Sequence, residues 1–228
     1  MIKVEKPPAS RIRDVLFVLW VVAGLVSLYP VATHLETGFP FFTVIWLVVP
    51  LMAVLRWRNA ALVGFRTVPR RLFWVTTAIN LGLLLLVIAL FEPWSHTYGT
   101  LVREATKGDT TFAWLAHYNS PTGWLLMFLF SGLVTMFAEE LFFRGWLLQL
   151  LLRRWNHWSA ILLQALLFAL LQALPALFLR PVQALVWVGA YSFLGVGMIN
   201  GWAASQTKSI WPGLIAATLM NLIVVMMM

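Results

Sequence analysis

Residues 124–152 read WLLMFLFSGLVTMFAEELFFRGWLLQLLL, an apolar run that is interrupted by the charged residues Glu139, Glu140 and Arg144. The run is longer than the ~20 residues that an α-helix needs to cross a bilayer. A charged group at membrane depth costs from about 3 kcal/mol upward, so such groups are read as functional by default. Arg144 follows Glu140 by four residues, the spacing at which an acid and a base pair on one helix. The alternative interpretation is an internal salt bridge that only holds helices together.

The composition indicates an integral membrane protein. Of the 228 residues, 61% are hydrophobic and 11% are charged, whereas soluble domains carry roughly 25% charged residues. The mean hydropathy is +0.87. The chain has no cysteine, which excludes disulfides, thiolate metal sites and cysteine nucleophiles. The net charge of +8 falls mainly in short loops, where it orients helices and contacts anionic headgroups rather than nucleic acid.

Apolar runs predict about seven transmembrane helices in a single all-α membrane domain, residues 1–228. They cover residues 15–29, 41–55, 73–91, 122–152, 159–174, 182–204 and 211–228. The polar residues 92–121 predict a solvent-facing loop with some short helix, and residues 60–65 predict an interfacial segment. With a cytoplasmic N-terminus, twelve of the sixteen Lys and Arg residues lie in inner segments and three in outer ones. The positive-inside rule therefore favours a polytopic bundle with its N-terminus inside, and we expect it in a bacterial inner (plasma) membrane.

Several amides also lie within the predicted spans. Gln164 and Gln172 are eight residues apart and so near one helix face, with Phe168 between them. Asn200 lies beside a pair of glycines, Gly197 and Gly201, a spacing that is typical of close helix–helix contact. Single amides such as Asn80 and Asn200 are usually interhelical hydrogen bonds worth about 0.6 kcal/mol.

Three motifs, taken in order, resemble the signature of the CAAX-protease and bacteriocin-processing (CPBP, or Abi) family of intramembrane metalloproteases. They read Glu139-Glu140-x-x-x-Arg144, Phe168-x-x-x-Gln172 and Ala217-x-x-x-Asn221. The resemblance covers about residues 127–222, and we assign the CPBP-like core to residues 122–228. It implies a helical membrane bundle and an endopeptidase of the CAAX prenyl protease type, in which a glutamate activates water, often with zinc. The resemblance makes Glu139, Glu140 and Arg144 the catalytic residues, and Phe168, Gln172, Ala217 and Asn221 the lining of the cavity.

The motifs depart from the family at two positions. The second and third motifs of the family usually read Phe-x-x-x-His and His-x-x-x-Asn, so Gln172 and Ala217 replace both histidines. Catalytic zinc typically takes three protein ligands from thiolates, imidazoles and carboxylates. All four histidines of the chain fall in predicted loops or at span ends: His34, His96, His117 and His157. We therefore predict no metal and no cofactor.

These replacements favour a degenerate member, a pseudo-protease that binds or scaffolds membrane partners. Gln172 would then donate a hydrogen bond to Glu139, Glu140 or Asn221. The expected partners are the lipid bilayer, other membrane proteins, and prenyl, lipid or pigment-like hydrophobic ligands. Two alternatives stay open: an active intramembrane endopeptidase that uses only Glu139 and Glu140, and a small transporter or proton-relay subunit that uses Glu139, Glu140 and Arg144.

Overall fold

The computed structural model of the protein describes residues 41–57, 63–106, 128–176 and 179–227. Within these ranges the chain forms seven helices, which confirms the all-α class for this part of the protein. The predicted first span, residues 15–29, lies outside the described residues. The helices are α1 (Phe41–Trp57), α2 (Arg70–Ser95), α3 (Thr97–Thr106), α4 (residues 128–151), α5 (His157–Ala176), α6 (Pro181–Thr207) and α7 (Trp211–Met227).

Six of these seven helices match predicted spans, with bounds that are shifted by a few residues. Helix α2 continues four residues beyond the predicted end at Phe91, and α6 continues beyond Ala204 to Thr207. Lys208 then takes a left-handed conformation, φ 55°, which ends α6. The short helix α3 lies in the predicted polar stretch. The predicted ends of α2 and α6 were too early because hydropathy marks the end of an apolar run, whereas a helix can continue into the polar residues that follow.

Two helices of the described part are long and apolar enough to cross a membrane. These are α2 and α6, whose most apolar windows have mean hydropathies of 2.2 and 1.6. Only 28% and 33% of these windows are buried inside the protein. Shorter apolar helices lie at residues 43–55, 157–173 and 211–224. A core helix of a soluble protein would be mostly buried, so these exposed apolar surfaces favour a lipid environment.

Three of the helix connections meet at one end of the bundle. Ile210, which leads into α7, donates a backbone hydrogen bond to Gly64 O at 3.2 Å, between α1 and α2. His157, the first residue of α5, has its ring Nε2 3.3 Å from Ser205 Oγ near the end of α6. At the other end of the bundle, Gln183 Nε2 donates to Ser95 O at 3.2 Å.

The described part of the segment predicted to lie in the interface packs against α4. It begins at Val63, which is fully buried, and Gly64 is buried as well. A Cβ atom added to Gly145 on α4 would lie only 2.4 Å from Val63 O, so glycine is required for this approach. Gly64 has φ +79°, a conformation that glycine adopts without strain. The weak apolarity of this segment did not predict its contact with α4.

The glycine pair on α6 has the close contact that its spacing predicts. A Cβ atom on Gly197 would lie 3.0 Å from Ala165 Cβ on α5. A Cβ atom on Gly201 would lie 2.8 Å from Gln164 Oε1. Helices α5 and α6 therefore approach each other closely over small residues, which brings the two helices that flank the acidic motif into one rigid pair.

Candidate active site

The acidic motif lies on α4, where the helix is widened. Residues Glu140–Leu147 are π-helical, with i→i+5 hydrogen bonds, a geometry that often marks functional positions. Glu140 is 2% exposed and Arg144 is fully buried, whereas Glu139 keeps part of its surface exposed. The two neighbouring carboxylates therefore have different surroundings.

Arg144 joins three helices through its guanidinium group. Its Nη1 lies 3.4 Å from Glu140 Oε1, so the predicted ion pair is present. Its Nη2 donates a 2.6 Å hydrogen bond to Val196 O on α6. The guanidinium carbon lies 4.3 Å from the ring centroid of Phe168 on α5, a cation–π contact. Arg144 is thus held by charge, by a backbone carbonyl and by an aromatic face at once.

Glu140 is also held by amides from two other helices. Asn200 Nδ2 on α6 donates to Glu140 Oε1 at 2.7 Å, and Asn80 Nδ2 on α2 donates to Asn200 Oδ1 at 3.1 Å. Gly213 lets α7 approach, because a Cβ atom there would lie 3.3 Å from Glu140 Oε2. Among the described residues, Glu140 Oε2 has no hydrogen-bond partner. The predicted site omitted Asn80 and Asn200, although both stood out as amides in apolar runs.

Glu139 has a separate partner on α5. Gln172 Nε2 donates a 3.0 Å hydrogen bond to Glu139 Oε1, one of the contacts expected for a glutamine at this position. The backbone carbonyl of Gln172 accepts a 3.2 Å hydrogen bond from Trp187 Nε1 on α6. Consecutive residues on a helix point about 100° apart, so Glu139 and Glu140 reach different neighbours. The motif therefore splits into a Glu139–Gln172 pair and a Glu140–Arg144–Asn200 group.

Asn221, the polar residue of the third motif, belongs to neither of these two groups. Asn221 Oδ1 accepts a hydrogen bond from Tyr98 OH of α3, and Asn221 Nδ2 donates to Met136 Sδ of α4 at 3.1 Å. Ala217 is 1% exposed and belongs to an apolar cluster that also contains Tyr98 and Tyr191. The seven predicted site residues thus form two polar groups beside α4 and a separate contact at Asn221.

Glu92 fixes α3 beside this contact, a role that the sequence did not indicate. Its carboxylate accepts hydrogen bonds from the backbone N–H groups of Tyr98 and Gly99, at 2.9 and 2.7 Å. Tyr191 OH also donates to Glu92 Oε2 at 2.8 Å. A carboxylate at the first turn of a helix satisfies amide groups that have no intrahelical partner. Glu92 lies at the edge of an apolar run, where an acidic residue gives no signal of its own.

Comparison with known proteins identifies the region that contains the three motifs. Residues 121–223 match the family model described as type II CAAX prenyl endopeptidase Rce1-like. This range contains all seven predicted site residues. Comparisons with curated proteins and with solved structures give no match.

The residues present do not fit a zinc ion of the kind that the motifs imply. A catalytic zinc site supplies imidazole, thiolate or carboxylate ligands. Gln172 instead points its amide N–H, a donor, at Glu139, and Ala217 offers only a methyl group. Within residues 41–57, 63–106, 128–176 and 179–227, no three His, Asp or Glu side chains come together as a metal-binding group. We derive no catalytic step through zinc.

Proposed function

We propose that this chain, whose residues 121–223 match the Rce1-like type II CAAX prenyl endopeptidase model, is a member of that family that binds membrane partners or hydrophobic ligands without hydrolysing peptide bonds. The observation that carries the proposal is the hydrogen bond from Gln172 Nε2 to Glu139 Oε1. In the family signature this position holds an imidazole that can ligate a metal. Here an amide donor satisfies the carboxylate directly.

The remaining polar groups support the same conclusion. Glu140 and Arg144 neutralise each other, and Asn200 donates to the carboxylate that Arg144 already pairs with. Buried polar groups that pair with one another are typical of a structural network, and here Glu140 Oε2 is left without a hydrogen-bond partner among the described residues. A network of this kind holds α2, α4, α5 and α6 in a fixed arrangement, as a binding scaffold needs.

We further propose that the bundle is inserted in a membrane with its N-terminus on the cytoplasmic side. Support comes from the exposed apolar surfaces of α2 and α6, and from large exposed tryptophans near helix ends. The native chain has no cysteine, so single-cysteine labelling tests the orientation directly. Cysteine at the exposed Gln206 should react with a membrane-impermeant maleimide only from the cytoplasmic side. Cysteine at the exposed His96, at the opposite end of the bundle, should react only from outside, and the reverse pattern would overturn the orientation.

The activity proposal is tested with the full chain, purified in a mild detergent. We expect elemental analysis to find well below one zinc per chain, and we expect no cleavage of a prenylated CAAX peptide. One zinc per chain together with peptide cleavage would overturn the proposal. The variants Glu139→Gln and Glu140→Gln serve as controls, because cleavage that persists unchanged in both would identify a contaminating protease.

An endopeptidase that works through Glu139 alone is the second candidate, and the partial exposure of that side chain favours it. A carboxylate that is not fully enclosed can act as a general base on a water molecule that reaches it. In this case the chain would cleave the peptide without added metal, and Glu139→Gln would abolish cleavage. Glu140→Gln would also lower activity, but together with a loss of stability, because Glu140 pairs with the buried Arg144.

A further inference from the structure

The short helix α3 packs against α2 and α6 at the end of the bundle where α2 ends. Tyr98, in its first turn, is 6% exposed and belongs to the same apolar cluster as Ala217. The Tyr98 hydroxyl donates to Asn221 Oδ1, which lies one helical turn beyond Ala217 on α7. Tyr98 therefore covers the part of α7 that carries the third motif, where the family signature has a histidine.

The Tyr98 ring also reaches the helix that holds the second motif in place. Its centroid lies 6.3 Å from that of Trp187 and 5.4 Å from that of Tyr191, and the two rings of α6 lie 5.9 Å apart. Trp187 Nε1 donates to the backbone carbonyl of Gln172, whose side chain binds Glu139. The three rings thus connect the third motif with the partner of Glu139.

Asn221 links the same ring to α4. Its Nδ2 donates to Met136 Sδ at 3.1 Å, and Met136 precedes Glu139 by three residues, so the two lie on one face of α4. Tyr98 therefore contacts Asn221 on one side and Trp187 on the other, and the residues that these two bind flank Glu139 on α4 and α5. At this end of the bundle, α3 lies across the approach to Glu139.

Glu92 holds α3 in this position. Its carboxylate accepts hydrogen bonds from the backbone N–H groups of Tyr98 and Gly99 and from the hydroxyl of Tyr191, so one side chain joins α2, α3 and α6. Burial then decreases along α3, from the buried first turn to Arg103, which is exposed. An element that is anchored mainly at one end, with few buried residues beyond it, can open without unfolding the rest of the bundle.

We propose that α3 is a plug, held closed by Glu92, that controls access from this end of the bundle to the space beside Ala217 and Glu139. The Tyr98 ring is the part of the plug that a ligand entering from this end has to displace. The inference rests on the proposed function, because a buried binding site has to be reached from outside.

The test uses the absence of cysteine from the native chain. Ala217→Cys adds a thiol within the cluster that contains Tyr98, and intact mass spectrometry of the full chain in mild detergent follows its alkylation by N-ethylmaleimide. We expect slow alkylation with the native plug. Tyr98→Ala should raise the rate on the order of a hundredfold, because it removes the ring and its hydrogen bond. Tyr98→Phe, which keeps the ring, should raise it about fivefold, and Glu92→Gln about tenfold.

Two controls separate opening of the plug from general loosening of the bundle. Ala160→Cys is the matched reporter, because Ala160 is fully buried near the opposite end of the bundle, and its alkylation should stay slow in both Tyr98 variants. Trp94→Ala is the matched variant, because Trp94 is an aromatic residue at the same end that is 61% exposed and belongs outside the cluster. It should leave the rate at Ala217→Cys unchanged.

The plug is overturned if neither Tyr98→Ala nor Tyr98→Phe speeds alkylation of Ala217→Cys, if both speed it equally at Ala160→Cys, or if Trp94→Ala acts as strongly as Tyr98→Ala. Alkylation needs neither a ligand nor cleavage, so such a result would leave the pseudo-protease proposal standing. Peptide cleavage with one zinc per chain would overturn the proposed function and leave the alkylation rates as they are.

Discussion

Replacing Glu140 by glutamine should destabilise the bundle far more than the same replacement at Glu139. The two residues are adjacent and chemically identical, yet their partners differ. Glu140 faces the fully buried guanidinium of Arg144 at 3.4 Å, and Glu139 faces the neutral amide of Gln172 at 3.0 Å. Arg144 also interacts electrostatically with Glu139, but among the described residues its ion pair is with Glu140, so only the change at Glu140 removes the direct counter-charge of a buried guanidinium.

The structure sets the size of each effect. Removing one member of a buried ion pair costs about 3–5 kcal/mol, because the other charge is left uncompensated. Arg144 keeps its hydrogen bond to Val196 O and its contact with Phe168, so we expect the lower end, about 3 kcal/mol. In Glu139→Gln a carbonyl oxygen can still accept from Gln172, so the cost should be about 1 kcal/mol or less. The difference of about 2 kcal/mol is roughly thirtyfold in the unfolding equilibrium.

The measurement is equilibrium unfolding of the purified chain in mixed micelles as the SDS fraction rises, followed by circular dichroism. The double variant Glu140→Leu with Arg144→Leu should recover much of the loss seen in Glu140→Leu alone, because no buried charge then remains unpaired. Equal destabilisation by Glu139→Gln and Glu140→Gln would refute the division of the motif. So would a double variant that is no more stable than Glu140→Leu.

Three other outcomes follow from the same contacts. Phe168→Leu should cost about 2 kcal/mol of stability when Arg144 is present and clearly less in an Arg144→Met background, which a double-mutant cycle measures by unfolding in mixed micelles. Gly145→Ala should lower the melting temperature strongly, because its Cβ would lie 2.4 Å from Val63 O, whereas Gly189→Ala, with no atom within 4 Å of its Cβ, should be neutral or stabilising. Liposomes that contain the chain should show no proton flux above that of empty liposomes under a pH gradient. Flux that Glu139→Gln removes would favour the relay alternative.

Much of the scaffold could be predicted because it depends on patterns that are local in sequence. Apolar runs located six of the seven helices of the described part, and residue spacing predicted the Glu140–Arg144 pair and a close helix contact at Gly197, without naming its partner α5. The return of Val63 against α4 could not be predicted in this way, because it depends on a contact between residues that are 82 positions apart and on the absence of a side chain at Gly145. Hydropathy contains no information about either.

The hydrogen-bond partners of the acidic motif could likewise be predicted only in part. The pairing of Gln172 with a glutamate followed from the chemistry of a replaced histidine, but the choice between Glu139 and Glu140 depended on how α5 and α6 flank α4. Asn80 and Asn200 were visible as amides in apolar runs. In the structure Asn80 on α2 donates to Asn200 on α6, and Asn200 donates to Glu140 on α4. This chain of contacts depends on how three helices pack, which the sequence spacing did not indicate.

The division of the acidic motif bears on why each of its charged residues is retained. Glu140 and Arg144 lie in a network of α2, α4, α5 and α6, so stability alone is reason to retain them whether or not a peptide bond is cleaved. Glu139 accepts a hydrogen bond from the neutral amide of Gln172 and interacts with Arg144 without an ion pair among the described residues, so we expect its stability contribution to be smaller than that of Glu140, and its retention needs another reason. If that reason is ligand binding, Glu139→Ala should weaken binding of the natural partner at nearly unchanged stability. If Glu139→Ala instead lowers stability as much as Glu140→Gln, both carboxylates are structural, and the binding role must lie elsewhere on the bundle.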